Sequence, residues 1–474
     1  MILGHGFAYV VARFIPGVLG VVTTAALTRL LGPVQYGVYG LVLTVMTIVS
    51  SVAFDWLSVS FLRLYPTRRF DFRTISTFIH IFFISMLISA GLTIIGFGLT
   101  GITEGNAEIY ALGLALAWAS SWFSLVSSFE IANFRPLRYL GMNLARSALM
   151  FAGATGAAWI SNDPILTAAG MGVGLLVSSA FGTFERPQLR IRYFDHDLAK
   201  EILTFGVPMA ASLSLTGILS GGTRALVAEF GSSEALGLYT AAFLVVQNGL
   251  LVIASGISSV TYQLAVEAVN RGDPIIERQQ LLENGTLLLF VLAPICLGTA
   301  LTADGIAQVL VGPEFQAGVA ALIPWMAVGA FLASFRAFYL EYAFNLGSRP
   351  SLQIWAPAVA TIVAISLSLY LIPRKGALGA AVAVTVAMAI SCVLAAAIGR
   401  RARVIPLPFA AAGRVVCCCL FMTALVLAVP ERGPFRFVTQ IAAGGFGYLC
   451  AAFALNLLEI RTRVISYLSG RRAA

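Results

Sequence analysis

The sequence predicts an all-α polytopic membrane protein of about fourteen transmembrane helices. Of 474 residues, 59% are hydrophobic and only 11% are charged, where a soluble protein carries about a quarter charged residues. The apolar residues fall in runs near the ~20 residues that a helix needs to cross a bilayer. The basic residues gather in alternate loops, as the positive-inside rule requires.

The first span covers residues 8–31 and carries Arg13 and Pro16. It is too long for a signal peptide and lacks a small-residue cleavage site, so it reads as an uncleaved helix. The turn Gly32-Pro33-Val34-Gln35-Tyr36 stops it. Spans over 37–62, 75–100, 108–133, 140–161 and 164–183 follow, then 202–229, 237–260, 284–311, 319–345, 352–372 and 376–399. Two more, 409–429 and 437–457, precede a basic tail. The organisation expected is an N-terminal six-helix lobe over 1–185, a linker over 186–201, a second six-helix lobe over 202–400, and a C-terminal pair with its tail over 401–474.

Loop charge tests this order. One set of alternate loops holds 22 Lys and Arg residues, among them Arg63, Arg135, Arg146, Arg190, Arg271 and Arg400. The opposite set holds four: Arg374, Lys375, Arg432 and Arg436. Arg13, Arg29, Arg224 and Arg336 remain inside spans. The bias places both termini in the cytoplasm. The segment around 262–283 is amphipathic and is expected to lie along the membrane surface.

A repeat links the halves. Gly37-Val38-Tyr39-Gly40 returns as Gly237-Leu238-Tyr239-Thr240, 200 residues on. Pro16 and Pro208 precede the two turns. Both copies enter from the same side, so the repeat is parallel, a pattern known from transporter halves.

The intramembrane arginines are the candidate functional groups, because a charge at the bilayer centre costs about 2.5–3.5 kcal/mol on insertion scales. Arg13 shares a face of span 1 with Gly17, Gly20, Thr24 and Thr28, and Arg29 points the other way. Gly40, Thr44, Thr47, Ser51, Asp55 and Ser58 share a face of span 2. Arg13 lies 19 residues before Gly32 and Asp55 lies 18 after Gly37, so both sit roughly 27–28 Å from the outer turn. A pair between them is expected, either as a structural ion pair or as an anion-binding arginine tuned by its carboxylate. Arg224 lies near the outer end of span 7. Arg336, with Glu341 nearby, reads as an internal pair or a ligand group. Gly170/Gly174 and Gly217/Gly221 have the spacing of helix-packing pairs. The preference for Arg, 28 against 2 Lys, fits either codon bias or phosphate recognition by guanidinium forks.

Several chemistries find no support. There is no P-loop, nucleophile elbow or zinc-protease motif. The three His are far apart, and the six Cys all lie in apolar segments. No cofactor is expected. Transport would draw on a gradient, with H+ or Na+ as coupling ion.

Arg13-Phe14-Ile15-Pro16-Gly17, Leu27-Thr28-Arg29-Leu30-Leu31-Gly32-Pro33-Val34-Gln35-Tyr36-Gly37, Phe205-Gly206-Val207-Pro208 and Gly312-Pro313-Glu314-Phe315 resemble the polysaccharide-transporter branch of the MOP exporter superfamily, which includes the Wzx-type O-antigen and exopolysaccharide flippases. The resemblance is specific over 8–66 and fades beyond 400. It implies a MATE-like fold of two six-helix lobes around a cavity that opens to alternate sides. It implies that undecaprenyl-diphosphate-linked oligosaccharide moves from the inner to the outer leaflet. Substrate-binding candidates by position are Arg13 and Arg224, with Asp55 beside the first and Arg336 in the second lobe. Expected partners are the lipid-linked oligosaccharide, membrane lipids, and polysaccharide polymerase and chain-length machinery; nucleic acid is not among them. The alternatives are a multidrug antiporter of the same superfamily, which would need more span carboxylates than Asp55, Glu130 and Glu341, and a membrane glycosyltransferase or polymerase, which would need an acidic or large outer loop.

Overall fold

The computed structural model describes residues 2–68, 72–100, 107–182, 193–347, 349–430, 436–459 and 461–462, with the side chains of 2–14, 67–68, 72, 96–100, 205, 207–209, 211–213, 248 and 350 outside them. Among the described residues the chain is helical and has no strand. The helices are α1 (Ile2–Leu30), α2 (Pro33–Ala53), α3 (Asp55–Leu64), α4 (Phe72–Thr100), α5 (Ala107–Ala132), α6 (Pro136–Ser161), α7 (Pro164–Ser179) and α8 (His196–Phe230). They continue as α9 (Ser233–Asn270), α10 (Pro274–Leu301), α11 (Ala303–Leu310), α12 (Gln316–Phe335), α13 (Tyr342–Leu346), α14 (Trp355–Gly399), α15 (Phe409–Ala428) and α16 (Arg436–Ala454). Nine described helical stretches are long and apolar enough to cross a membrane, and Ile15–Leu30 and Pro164–Ser179 are shorter apolar helices.

Three of the expected spans are broken helices. Phe54, at φ −134°, separates α2 from α3; Thr302 separates α10 from α11; a π-helical turn over Arg336–Leu340 separates α12 from α13. Conversely, α14 is two spans in one. Ser391 Oγ donates to the Ala356 carbonyl at 3.1 Å, although 35 residues of straight helix would part them by about 50 Å. The chain folds back at Gly376, whose φ of +54° belongs to the left-handed region that glycine enters without a Cβ penalty.

Polar turns end the helices. Asp163 caps α7 by accepting from Ile165 N at 2.7 Å and Leu166 N at 3.2 Å. Asp195 caps α8 through Leu198 N, and Asp273 caps α10 through Ile275 N. Such caps satisfy amides that have no partner one turn into a helix.

The chain divides into two compact units, Met1–Leu244 with Thr361–Ala383, and Val245–Ala360 with Val384–Ala474. In the first unit α8 packs along α2 and α3, α1 lies along α6, and α6 along α7. Lipid tails are as apolar as leucine, so close approach rather than hydrophobic burial holds such helices together. Gly153 and Gly170 face each other: a Cβ on either would lie 2.2 Å from the other's carbonyl oxygen. Gly174 meets the Leu149 carbonyl in the same way, so the Gly170/Gly174 spacing is a packing surface. An aromatic core of Phe54, Phe61, Tyr65, Phe78 and Phe129 packs α3, α4 and α5 together.

In the second unit α10 packs on α12 and α15, and α15 on α16. Tyr448 donates to the Phe290 carbonyl at 2.8 Å. Beside that bond α10, α11, α15 and α16 leave an apolar cleft of about 460 Å³.

Candidate functional site

Small residues on α8 bring it against α2 and α3. A Cβ on Gly206 would strike the Trp56 ring, one on Gly217 would lie 1.7 Å from Ser51 Oγ, and one on Gly221 would meet Ile48. The Gly217/Gly221 pair is therefore a docking surface. The polar face of α2 is turned toward it, with Thr44 1% and Ser51 5% exposed. Their hydroxyls are satisfied within the helix, Thr44 by the Gly40 carbonyl and Ser51 by that of Thr47. This face serves helix contact.

The same contact buries Arg224, which is 4% exposed. Its Nε donates to the Ser220 carbonyl at 3.1 Å and its Nη2 to Thr47 Oγ1 at 3.3 Å. Its guanidinium carbon stands 5.1 Å from the centre of the Phe243 ring, a cation–π contact. Among the described residues no carboxylate lies within salt-bridge distance of it. The carbonyl, the hydroxyl and the ring hold the guanidinium in place, and its remaining N–H groups can take a phosphate or carboxylate.

Asp55 is the first residue of α3. The break at Phe54 puts its half-buried carboxylate at the start of a new helix. It lies eight residues beyond Thr47, about 12 Å of helix rise, so Arg224 and Asp55 stand at different levels. The side chain of Arg13 lies outside the described residues, and so does the expected Arg13–Asp55 pair. The helices that would carry it, α1 and α2, touch only slightly.

Arg336 belongs to the second unit and is 8% exposed. It opens the π-helical turn, whose Glu341 N donates to the Arg336 carbonyl at 3.0 Å. The extra residue swings Glu341 under the guanidinium, and Arg336 Nη1 donates to Glu341 Oε1. Gln353 Nε2 donates to Glu341 Oε2 at 2.7 Å. Of the two expected alternatives, the geometry here is that of an internal pair. Within the pair, Arg336 Nε is buried without a hydrogen bond among the described residues.

Two charged groups differ from expectation. Arg146, counted with a cytoplasmic loop, lies inside α6, ten residues past Pro136, or about 15 Å. It packs 5.0 Å over the Phe123 ring. The signal was available, because Pro136 is a helix-starting residue at N1. Glu130, whose position at the cytoplasmic end of its span would allow solvation, is fully buried, with Arg135 at 3.9 Å.

The repeat has a structural counterpart. A Cβ on Gly37 would lie 1.9 Å from the Ser233 carbonyl oxygen, and one on Gly237 would lie 2.1 Å from that of Pro33. Gly40 meets Thr240. Equivalent positions of the two copies thus face each other across the start of α2 and α9.

This arrangement of helices is shared with solved structures. A lipid II flippase, MurJ, in an inward closed conformation covers 94% of this chain and 98% of its own, at TM-score 0.77 and 14% identity. The chain has the fold of the MOP transporters. An inward-facing multidrug resistance MATE family transporter of that superfamily matches at TM-score 0.62 and 14% identity, over 83% of this chain and 97% of its own. A MOP superfamily transporter from Pyrococcus furiosus, described as having a binding pocket of reversed polarity, matches at TM-score 0.51 and 14% identity, over 84% and 95%. A family described as polysaccharide biosynthesis protein matches residues 173–320, a stretch that contains Arg224 and the second copy of the repeat. No curated protein matches significantly. The resemblance drawn from the sequence to polysaccharide transporters of the MOP superfamily is thus supported from two directions.

Proposed function

We propose that this protein is a flippase that moves an undecaprenyl-diphosphate-linked oligosaccharide, an O-antigen or exopolysaccharide repeat unit, from the inner to the outer leaflet of a bacterial inner membrane by alternating access. The observation that carries the reading is Arg224. It is buried at 4% exposure, has no acidic partner among the described residues, and is held in place by Thr47 and Phe243. A preorganised cation of this kind suits a phosphate rather than a cationic drug. The span carboxylates that an antiporter of cations would use are engaged elsewhere: Glu341 with Arg336 and Glu130 with Arg135. Asp55 would tune or release an anion held by Arg13, with H+ or Na+ as coupling ion. Both termini would face the cytoplasm, and polymerase and chain-length proteins would take the product.

The test is translocation in proteoliposomes containing fluorescent undecaprenyl-diphosphate oligosaccharide, with leaflet exposure read by a membrane-impermeant quencher. The protein should equilibrate the leaflets, and Arg224→Ala should slow it about 10-fold or more, as expected for losing a charged hydrogen bond of about 1.5–3 kcal/mol. Wild-type protein that leaves the lipid in one leaflet yet carries cationic dyes would overturn the reading in favour of a multidrug antiporter.

A further inference from the structure

We propose that a pocket at one end of the second unit binds the phosphate headgroup and upper acyl chain of an anionic phospholipid. The pocket, about 240 Å³, lies where α13, the end of α14 and the start of α15 meet. Leu340, Ala343, Ala396 and Leu407 give it an apolar floor, and Arg400 and Phe409 stand at its edge. Phe409 is 76% and Val404 68% exposed, as side chains facing lipid would be. The helix ends mark the level as the membrane boundary, on the side that loop charge predicts to be cytoplasmic.

The wall is built rather than loose. The segment 401–408 joins α14 to α15 and is tied at three points. Arg403 Nε and Nη2 donate to Glu277 at 2.8 and 2.6 Å, and its Nη1 donates to the Leu346 carbonyl at 3.2 Å. Arg349 Nη1 donates to the Arg401 carbonyl at 3.1 Å. Tyr339, fully buried, donates to the carbonyls of Pro406 at 2.5 Å and Leu281 at 3.1 Å. At Gly399 and Gly347 there is no room for a Cβ against Ala343 and Ala402, so the helix end and the segment are held closely.

Charge decides the ligand. Arg403 is spent on Glu277, so it braces the pocket and does not serve the anion. Arg349, Arg400 and Arg401 have no acidic partner within 4.0 Å among the described residues. Arg400 is exposed at the pocket's edge. Arg400, a guanidinium without an acidic partner among the described residues and in the lining of an apolar cavity at the membrane boundary, complements a lipid that is apolar below and anionic above, the basic pocket between helices that binds acidic headgroups.

The full-length protein in detergent, titrated with dioleoyl phosphatidylglycerol or dioleoyl phosphatidylcholine and read by native mass spectrometry, tests this. Phosphatidylglycerol should be retained preferentially, and Arg400→Glu should lower its retention about five-fold with phosphatidylcholine unchanged. Arg271→Glu, the same charge change on an exposed residue paired with Glu267, should leave retention as in wild type. Ala396→Trp, which fills the floor without altering charge, should also lower it in protein that keeps its melting temperature. Equal losses with Arg271→Glu, or none with Arg400→Glu, would overturn the proposal. Displacement of phosphatidylglycerol by stoichiometric undecaprenyl diphosphate would overturn it too, by assigning the pocket to a transported lipid.

Discussion

Replacing Gly37 by alanine puts a methyl group 1.9 Å from the Ser233 carbonyl oxygen. Ordinary contact requires about 3.5 Å, so α2 and α9 must part by roughly 1.5 Å. The obstacle is backbone, which cannot rotate away as a side chain would. Overpacking of this kind costs about 1–3 kcal/mol. Gly237→Ala meets the Pro33 carbonyl at 2.1 Å across the same contact, so it should cost about as much. Once either methyl has spread the helices the second finds space already opened, and the double variant should fall short of the sum. Gly249 on α9 provides the control, because a Cβ there meets nothing within 4 Å and alanine gains helix propensity. The assay is thermal unfolding in detergent followed by tryptophan fluorescence. Gly37→Ala should melt about 2 °C below Gly249→Ala, taking roughly 1 kcal/mol per degree for a chain of this length. Equal melting temperatures, or strictly additive losses in the double variant, would refute the direct apposition of the two copies of the repeat.

Four further outcomes are expected. Arg336→Met or Glu341→Leu should each destabilise by about 3–5 kcal/mol, and the two together by far less, because an apolar pair replaces a buried ion pair while a single change strands a charge; a double-mutant cycle in thermal unfolding measures this. Arg146→Ala and Phe123→Leu should each remove a cation–π contact of about 0.5–2 kcal/mol, and the double variant should show the coupling. Gly376→Ala should cost about 1 kcal/mol, since φ there is +54° and a Cβ strains that conformation; a melting temperature unchanged from wild type would count against it. Arg224→Lys should fold normally yet transport slowly, because an ammonium keeps the charge and loses the planar fork, whereas a loss of folding with normal specific transport would make Arg224 structural.

How far the site was legible in the sequence varies by residue. Arg224 and Arg336 were found because a charge stands out in an apolar run. The pairing of Arg336 with Glu341 depends on the π-helical turn, which no local signal in Phe335–Tyr339 announces. Pro136 marks the start of the helix that carries Arg146, although the charge of Arg146 also fits the adjoining basic loop. The break at Phe54, which sets Asp55 at a helix start, lies in a stretch without proline or glycine and has no sequence signature.

The sequence by itself determined the all-helical membrane class, the order of the apolar segments and the repeat. The reason is that the bilayer sets a length and hydropathy that each span must meet alone. Tertiary structure decided which faces meet. Glycines at 37, 217 and 237 look alike along the chain, and only packing reveals that each admits a backbone or hydroxyl at a distance no Cβ allows. It also decided which arginines are neutralised. Arg336 has its carboxylate, Arg403 has Glu277 from 126 residues away, and Arg224 has a ring and a hydroxyl in place of an acid. Pairing over such separations is a property of the folded helices and leaves no trace in spacing along the chain.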